Sequence, residues 1–203
     1  HLERLASGIS DSGLSVRYFS FMRAEREWTD GAFCRKLAAS GFVGGYFGLE
    51  SGCQQTNDRM SKGISLENVK VMLRHFAEHG IVANLFCMVG FPGETEAQAH
   101  QTFQFIKGHR HLLRGEISIG HFHLKFNTPV FNHQAAFHIT NVDNIKENDF
   151  ISRYDYEVSQ GLRQQEAMQL AERYNRELGL HYLGNRLIYA LLEPASTEAA
   201  LVV

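Results

Sequence analysis

The apolar positions of the chain are most concentrated in Ile81–Val89, a run in which nearly every residue is hydrophobic. A run of this length, preceded by Gly80 and followed by Gly90, is typical of a strand that is covered on both faces. Thr95 and Gln98 then have the spacing of a helix capping box. The stretch therefore predicts a strand, a tight glycine turn and a helix. The turn lies at the carboxyl end of the strand, where parallel α/β folds bind their ligands.

Three further segments are rich in β-branched and aromatic residues and predict strands, namely Val16–Met22, Phe42–Leu49 and Glu116–Phe126. The segments between them have helical apolar spacing, with Thr29 and Ser65 as predicted N-caps. Repeated strand–helix units indicate parallel strands with right-handed crossovers, and so a barrel or an open wound sheet of the α/β class. Four such strands do not close a barrel, so we expect an incomplete one with outer helices.

The C-terminal third has a different pattern. The polar residues 141–149 are typical of a linker, and Gly161–Leu178 predicts an amphipathic helix. We therefore expect two parts: residues 1–135 as the barrel segment, and residues 136–203 as a linker with a helical extension. Val16–Met22 would be the outer strand of the sheet, and its open edge predicts self-association of the chain.

Composition limits the class of protein. The 203 residues are 44% hydrophobic and 21% charged, which is ordinary for a soluble globular domain. The net charge of −2 gives no electrostatic reason to expect nucleic acid or an anionic membrane as partner. No apolar run approaches the roughly 20 residues that span a bilayer. The three cysteines Cys34, Cys53 and Cys87 have neither disulfide nor metal-ligand spacing, which favours a reducing cytoplasm.

Polar residues follow each of the four predicted strands: Arg23, then Glu50 with Ser51, then the turn at Gly90, then a polar set at 121–127. An arginine and a carboxylate at one edge could hold a zwitterionic ligand, the arginine binding its carboxylate and the glutamate its ammonium group. Two other interpretations stay open. Arg23 and Glu50 could form a structural ion pair, and the glycine turn could be a plain turn with a helix cap.

Histidines are also concentrated near the fourth predicted strand. His121 and His123 alternate on one face, and with His133 and His138 nearby they could bind a metal ion. The chain has eleven histidines scattered over helices and loops, however, and such residues are mostly surface positions. We therefore predict no native metal site.

Six short motifs occur in a fixed order: MRAE at 22–25, LAASG at 37–41, GLESG at 48–52, MSKG at 60–63, GI at 80–81 and GFPGET at 90–95. With these motifs the chain resembles the middle and later part of the barrel of radical S-adenosylmethionine (radical SAM) enzymes. The resemblance is greatest to the Elp3-MiaB-like branch, which often carries a cobalamin-binding domain upstream. It covers about residues 2–130.

The resemblance implies a partial (β/α)₆ barrel, of which this chain holds about the third to sixth strands. It also implies a site for S-adenosylmethionine (SAM) at the carboxyl ends of these strands. Arg23 would hold the SAM carboxylate, and Glu50 with Ser51 the ribose or amino group. The residues on the adenine side would be Asn84, Met88, Gly90, His123 and Asn127.

The chain also departs from the family pattern. It lacks the C-x-x-x-C-x-x-C loop that holds a four-iron–four-sulfur cluster, so we expect the cluster ligands, and any cobalamin domain, upstream of His1. The usual Pro-Gly-Thr after the last strand reads Thr128-Pro129-Val130. The parent enzyme is predicted to cleave SAM reductively, as an oxidoreductase or a transferase, while this piece alone is inactive and contains no catalytic residue. Two alternatives remain: a non-catalytic α/β module, and an ordinary (β/α)-barrel lyase or aldolase that uses Glu50 as acid or base.

Overall fold

Strands and helices alternate along most of the chain, and the computed structural model describes residues 1–143, 153–180 and the backbone of residues 199–202. The described strands are β1 (Val16–Arg23), β2 (Phe42–Glu50), β3 (Val82–Val89), β4 (Ile117–His121), β5 (Ile139–Val142), β6 (Tyr156–Val158) and β7 (Ala199–Val202). The described α-helices are α1 (Leu2–Ser12), α2 (Gly31–Ala39), α3 (Gln54–Arg59), α4 (Leu66–His79), α5 (Glu96–His109), α6 (Pro129–Asn132) and α7 (Gln164–Glu177).

The first four strands form one parallel sheet with the spatial order β4-β3-β2-β1, so that strands consecutive in sequence are neighbours. Helices connect each strand to the next, as parallel pairing requires. The α/β class and the partial barrel with outer helices are therefore confirmed. The chain also has a helical C-terminal part, as expected.

A further strand lies at the outer edge of β1. The backbone of β7 pairs in parallel with the first half of β1, from Val16 opposite Ala199 to Phe19 opposite Val202. The edge that we expected to be open is therefore covered over Val16–Phe19. Self-association through the rest of this edge stays a prediction.

The main core lies between the sheet and the helices that follow its strands. Trp28 is at its centre, since the indole packs against the rings of Phe33, Phe42, Phe47 and Phe76 with centroids 5.3 to 6.0 Å apart. Aromatic pairs at these distances are favourable beyond the burial of their area. The core therefore fixes the helices firmly against one face of the sheet.

Short polar caps determine where the helices begin. Ser65 accepts a hydrogen bond from the backbone of Asn68, and Thr95 with Gln98 forms the predicted capping box. The prediction for α2 was wrong by one residue. Asp30, not Thr29, is the N-cap, because its carboxylate accepts hydrogen bonds from Ala32 N at 2.8 Å and Phe33 N at 3.3 Å.

The C-terminal part has two kinds of structure. Strands β5 and β6 form a separate antiparallel pair, which packs on a smaller apolar cluster around Phe91, Leu124 and Tyr154. Asn141 and Val142, which we expected to begin a linker, lie in β5 instead. The rest of that predicted linker, from residue 144, lies outside the described residues. The division of the chain at residue 135 stays a prediction, although α7 contributes buried residues to the main core.

Helix α7 protects the outer edge of β4. The side-chain amide of Asn175 donates to the carbonyl of Ile119 at 2.7 Å and accepts from its N–H at 3.3 Å. Asn175 therefore satisfies the two backbone groups that a neighbouring strand would otherwise satisfy.

We predict that Asn175→Ala lowers the free energy of unfolding by about 1–2 kcal/mol, because both backbone groups of Ile119 lose their partner. Urea denaturation of the chain measures this change. Gln169→Ala, an exposed position on the same helix, is the matched control and should change stability by less than about 0.5 kcal/mol. Equal stabilities of the two variants would contradict this role of Asn175.

Candidate functional site at the strand ends

The carboxyl ends of the four parallel strands meet at one edge of the sheet. Arg23 is the last residue of β1, Glu50 the last of β2, and Gly90 follows β3. In the register of the sheet, Val89 lies opposite His121 of β4. We call residues 23, 50, 90 and 121–127 the strand-end rim. The predicted common edge is confirmed.

Glu50 has an unusual backbone conformation, with φ at 60°. The left-handed region is uncommon for residues other than glycine, and such strain often marks functional sites. The side chain bends back over Gly48, where an added Cβ would lie 2.6 Å from Glu50 Oε1. Lys62 Nζ lies 3.0 Å from the same oxygen, and the carboxylate side chain is 16% exposed. The rim thus presents one anchored carboxylate that still reaches solvent.

Arg23 lies exposed at the end of β1. Its carbonyl accepts a hydrogen bond from the indole of Trp28 at 3.1 Å, which fixes the backbone at this point. Among the described residues its guanidinium forms no ion pair, and Glu50 is paired with Lys62. The interpretation in which Arg23 and Glu50 form a structural ion pair is therefore not the arrangement observed. Arg23 lines a cavity of about 740 Å³ together with Met22 and Trp28.

Glu94 is a buried carboxyl group beneath the rim. In the sequence it stands out only as part of the GFPGET motif. It is 0% exposed. Its Oε2 accepts a hydrogen bond from Gly90 N at 2.6 Å, and its Oε1 lies 3.5 Å from Ser51 Oγ. Burial raises its pKa to about 7, although the hydrogen bonds from Gly90 N and Ser51 Oγ partly oppose this shift. Glu94 therefore joins the loop after β2 to the loop after β3.

Ser51 and its neighbours complete this buried network. Ser51 Oγ lies 3.1 Å from Thr102 Oγ1, which also accepts from Gly52 N at 2.9 Å. The side chain of Asn57 accepts from Ser51 N at 3.1 Å and donates to Ser51 O at 2.7 Å. Ser51 is 0% exposed. The geometry therefore gives Ser51 a supporting position under the rim, with its polar atoms turned inward.

Asn84 is likewise buried, but it is the third of the eight residues of β3 and so lies towards the amino end of that strand, away from the rim. Its amide donates to Gly45 O at 3.2 Å and accepts from Glu116 N at 2.7 Å. It thereby connects β2 and β3 to the segment that enters β4. Its polar atoms form hydrogen bonds within the sheet, whereas those of Ser51 form hydrogen bonds beneath the rim.

The remaining predicted residues differ in exposure. Met88 is half-buried, whereas Gly90 is buried: its φ is 77°, and a Cβ added to it would collide with Ala167 of α7. Asn127 is exposed with φ at 56° and accepts a hydrogen bond from Asn132 at 3.2 Å. His123 is half-buried, with its ring centroid 4.1 Å from that of His121.

Neither histidines nor cysteines form a metal centre in the described part of the chain. No group of three or more His, Cys, Asp or Glu side chains is positioned there to hold an ion. Cys34, Cys53 and Cys87 are all buried in different elements. Burial raises the pKa of the Cys34 thiol to about 11 and also that of Cys87, so neither is a ready thiolate. These residues do not fit an iron–sulfur cluster.

None of the described helices combines the length and the apolar character needed to cross a bilayer.

The fold and the rim define a class: a partial barrel of parallel strands whose carboxyl ends meet at one edge. Solved structures of radical SAM enzymes have this fold. OxsB, a cobalamin-dependent radical SAM enzyme solved with aqua-cobalamin and SAM, superposes with a TM-score of 0.62 at 16% identity, over 96% of this chain and 33% of OxsB.

Two other enzymes superpose similarly. Coproporphyrinogen III oxidase (HemN) from Escherichia coli, a radical SAM enzyme, has a TM-score of 0.55 at 16% identity over 83% of this chain and 34% of its own. The radical SAM methyltransferase TsrM from Kitasatospora setae, solved with cobalamin and a four-iron–four-sulfur cluster, has a TM-score of 0.53 at 17% identity over 100% of this chain and 41% of its own.

The chain thus spans between 33% and 41% of the length of these three enzymes. At these identities the likeness establishes the fold alone. No protein-family model matches the sequence, and no curated protein matches it.

Proposed function

We propose that the strand-end rim binds SAM and that the chain forms the later part of a radical SAM barrel. The ordered motifs and the fold both support this proposal. The observation that carries it is Glu50, a strained, part-exposed carboxylate at the end of a central strand. A carboxylate in this position suits the ammonium group or the ribose hydroxyls of SAM.

The other rim residues take roles that follow from their exposure. Arg23, whose guanidinium is exposed, would bind the carboxylate of SAM. Met88 and Asn127 would line the adenine side, whereas the Gly90 turn is buried against α7 and would shape the rim without direct contact with the ligand. Ser51, with its polar atoms turned inward, would hold the rim in shape without contacting the ligand. Asn84, near the amino end of β3, would stabilise the sheet and would not contact the ligand either.

In radical SAM enzymes, a four-iron–four-sulfur cluster supplies the electron that cleaves SAM. The described cysteines do not fit such a cluster, so we propose that its ligands, like any cobalamin-binding domain, belong to residues outside these 203.

We predict that Glu50→Gln weakens SAM binding about tenfold to a hundredfold, because it removes one charge-assisted hydrogen bond worth about 1.5–3 kcal/mol. Isothermal titration of SAM into the chain gives the dissociation constant, and thermal melting reports the fold. Melting should change little, since the pair with Lys62 is partly exposed and exposed pairs contribute about 0–1 kcal/mol.

Glu67→Gln is the matched control, because Glu67 also pairs with a lysine, at 2.6 Å, but is an exposed residue of α4 and not part of the rim. Its SAM affinity should equal that of the wild type. If Glu50→Gln also binds SAM as the wild type does, Glu50 is not a SAM ligand. Failure of the wild type to bind SAM would favour the alternative of an ordinary lyase or a non-catalytic module.

A further inference from the structure

The carboxyl end of β4 carries a group of basic side chains, of which the family resemblance assigns only His123 to the SAM site. The rings of His121 and His123 meet edge to face, with centroids 4.1 Å apart. Lys125 follows on the same side of the chain, and Arg153 approaches from the segment before β6. We call these four residues the β4 basic cluster.

The backbone fixes Arg153 next to the other three. Leu124 and Tyr154 form an isolated antiparallel bridge, in which Tyr154 N donates to Leu124 O at 3.0 Å. The side chains of Leu124 and Tyr154 are both buried in the smaller apolar cluster. Their neighbours in sequence therefore lie on the opposite, outward face, since alternate residues of paired strands point to opposite sides. Lys125 and Arg153 face each other there across the bridge.

The electrostatic environment of the cluster is positive. Burial lowers the pKa of His123, and His121, Arg153 and Lys125 lower it further. Burial and then Arg153 lower the pKa of His121, while Glu172 of α7 raises it. Asp155 follows Tyr154 on the outward face, but it forms no ion pair with the cluster among the described residues. The charged groups that act on His123 are thus all basic.

Like charges held together cost free energy unless a ligand of opposite charge neutralises them. Arg153 forms no ion pair in the described part of the chain, and its planar guanidinium suits two oxygens of a carboxylate or a phosphate. The two imidazoles supply donors to the same ligand once they are protonated. A metal cation would instead be repelled by Lys125 and Arg153.

We propose that the β4 basic cluster is a binding site for an anionic group, a carboxylate or a phosphate, carried by a ligand other than SAM. The site lies at the β4 end of the strand-end rim. It holds whether or not the rim binds SAM. Binding takes up protons on His121 and His123, so affinity increases as the pH falls.

The test follows the ring resonances of His121 and His123 by NMR in the 203-residue chain. Inorganic phosphate is titrated in one arm and citrate in the other, with sodium chloride at equal ionic strength as the baseline. We expect saturable shifts in at least one arm, a rise in the pKa of both rings, and tighter binding at pH 5.5 than at pH 7.5. Saturation by phosphate alone indicates a phosphoryl ligand, and saturation by citrate alone a carboxylate ligand.

Arg153→Gln should weaken this binding about tenfold, since it removes a charge-assisted contact. Arg153 is exposed, so the variant should keep the melting temperature of the wild type. Arg35→Gln, an exposed arginine on α2, is the matched control and should bind as the wild type does. Shifts no larger than those in sodium chloride, or equal affinity in Arg153→Gln and the wild type, would overturn the proposal.

Discussion

Gly90→Ala should be among the most destabilising single substitutions in the chain, lowering the free energy of unfolding by about 2–5 kcal/mol. Gly90 has φ at 77°, and a side chain in that conformation costs about 1–2 kcal/mol. An added Cβ would also collide with the Cβ of Ala167, so that α7 would have to move away from the rim. Overpacking of this kind costs a further 1–3 kcal/mol or so. Urea denaturation measures the total.

Gly80 provides a matched control for this prediction. Its φ is 72°, close to that of Gly90, but an added Cβ there would meet nothing within 4 Å. Gly80→Ala should therefore lower the free energy of unfolding only through the strain of a side chain at positive φ, by about 1–2 kcal/mol. The difference between the two variants isolates the contact of Gly90 with α7. If both variants lose the same stability, α7 does not pack against the glycine turn as described.

Stability should fall as the pH rises from about 4.5 to 7, because Glu94 is buried with a pKa raised to about 7. Below pH 4.5 the carboxyl group is protonated in both the folded and the unfolded chain and has no effect. Between these values the unfolded chain releases the proton first, so unfolding becomes easier. A pKa raised to this extent lowers the free energy of unfolding by about 3 kcal/mol once the pH exceeds 7.

Glu94→Gln tests this prediction, because the amide keeps the shape of the protonated acid and does not titrate. The variant should show a flatter dependence of unfolding free energy on pH between 4.5 and 7.5, measured by urea denaturation at several pH values. Glu157→Gln, an exposed position on β6, should keep the slope of the wild type. An unchanged slope in Glu94→Gln would show that another group is responsible.

Much of the fold could be predicted from local patterns. The apolar run Ile81–Val89 predicts a strand, and the capping box of Thr95 and Gln98 predicts the start of a helix. Both signals depend only on residues close in sequence, and the structure has β3 and α5 there. The repetition of this unit then places the strand ends at one edge, because parallel strands share a direction. The positions of Arg23, Glu50 and Gly90 on the rim follow from this geometry alone.

The direction of individual side chains could not be predicted in the same way. Ser51 and Asn84 were expected to face a ligand, yet their partners include Thr102 and Glu116, which lie 51 and 32 positions further along the chain. Such contacts depend on how helices and loops pack, which periodicity does not encode. Glu94 was missed for the same reason. The available signal was Thr102, a polar residue on the apolar face of α5.

The C-terminal part was predicted least well. Strands β5 and β6 have four and three residues, too few to produce a clear alternation of apolar and polar positions. Asn175 resembles any polar residue on the exposed side of an amphipathic helix. Its role at the edge of β4 depends on the docking of α7, which is visible only in the folded chain.

The most direct test of the central claim is a titration of SAM into the isotope-labelled 203-residue chain, followed by amide NMR. We predict saturable shifts concentrated at Arg23, Glu50, Gly90 and the residues near Asn127. The first turn of α1, which lines the same cavity as Arg23, can also shift, whereas the last turn of α1 and the outer face of α4 should be unaffected. S-adenosylhomocysteine, which lacks the sulfonium charge, serves as the comparison ligand. Shifts that cluster away from the strand ends, or no saturable shift at millimolar SAM, would contradict the assignment of the strand-end rim as a SAM site.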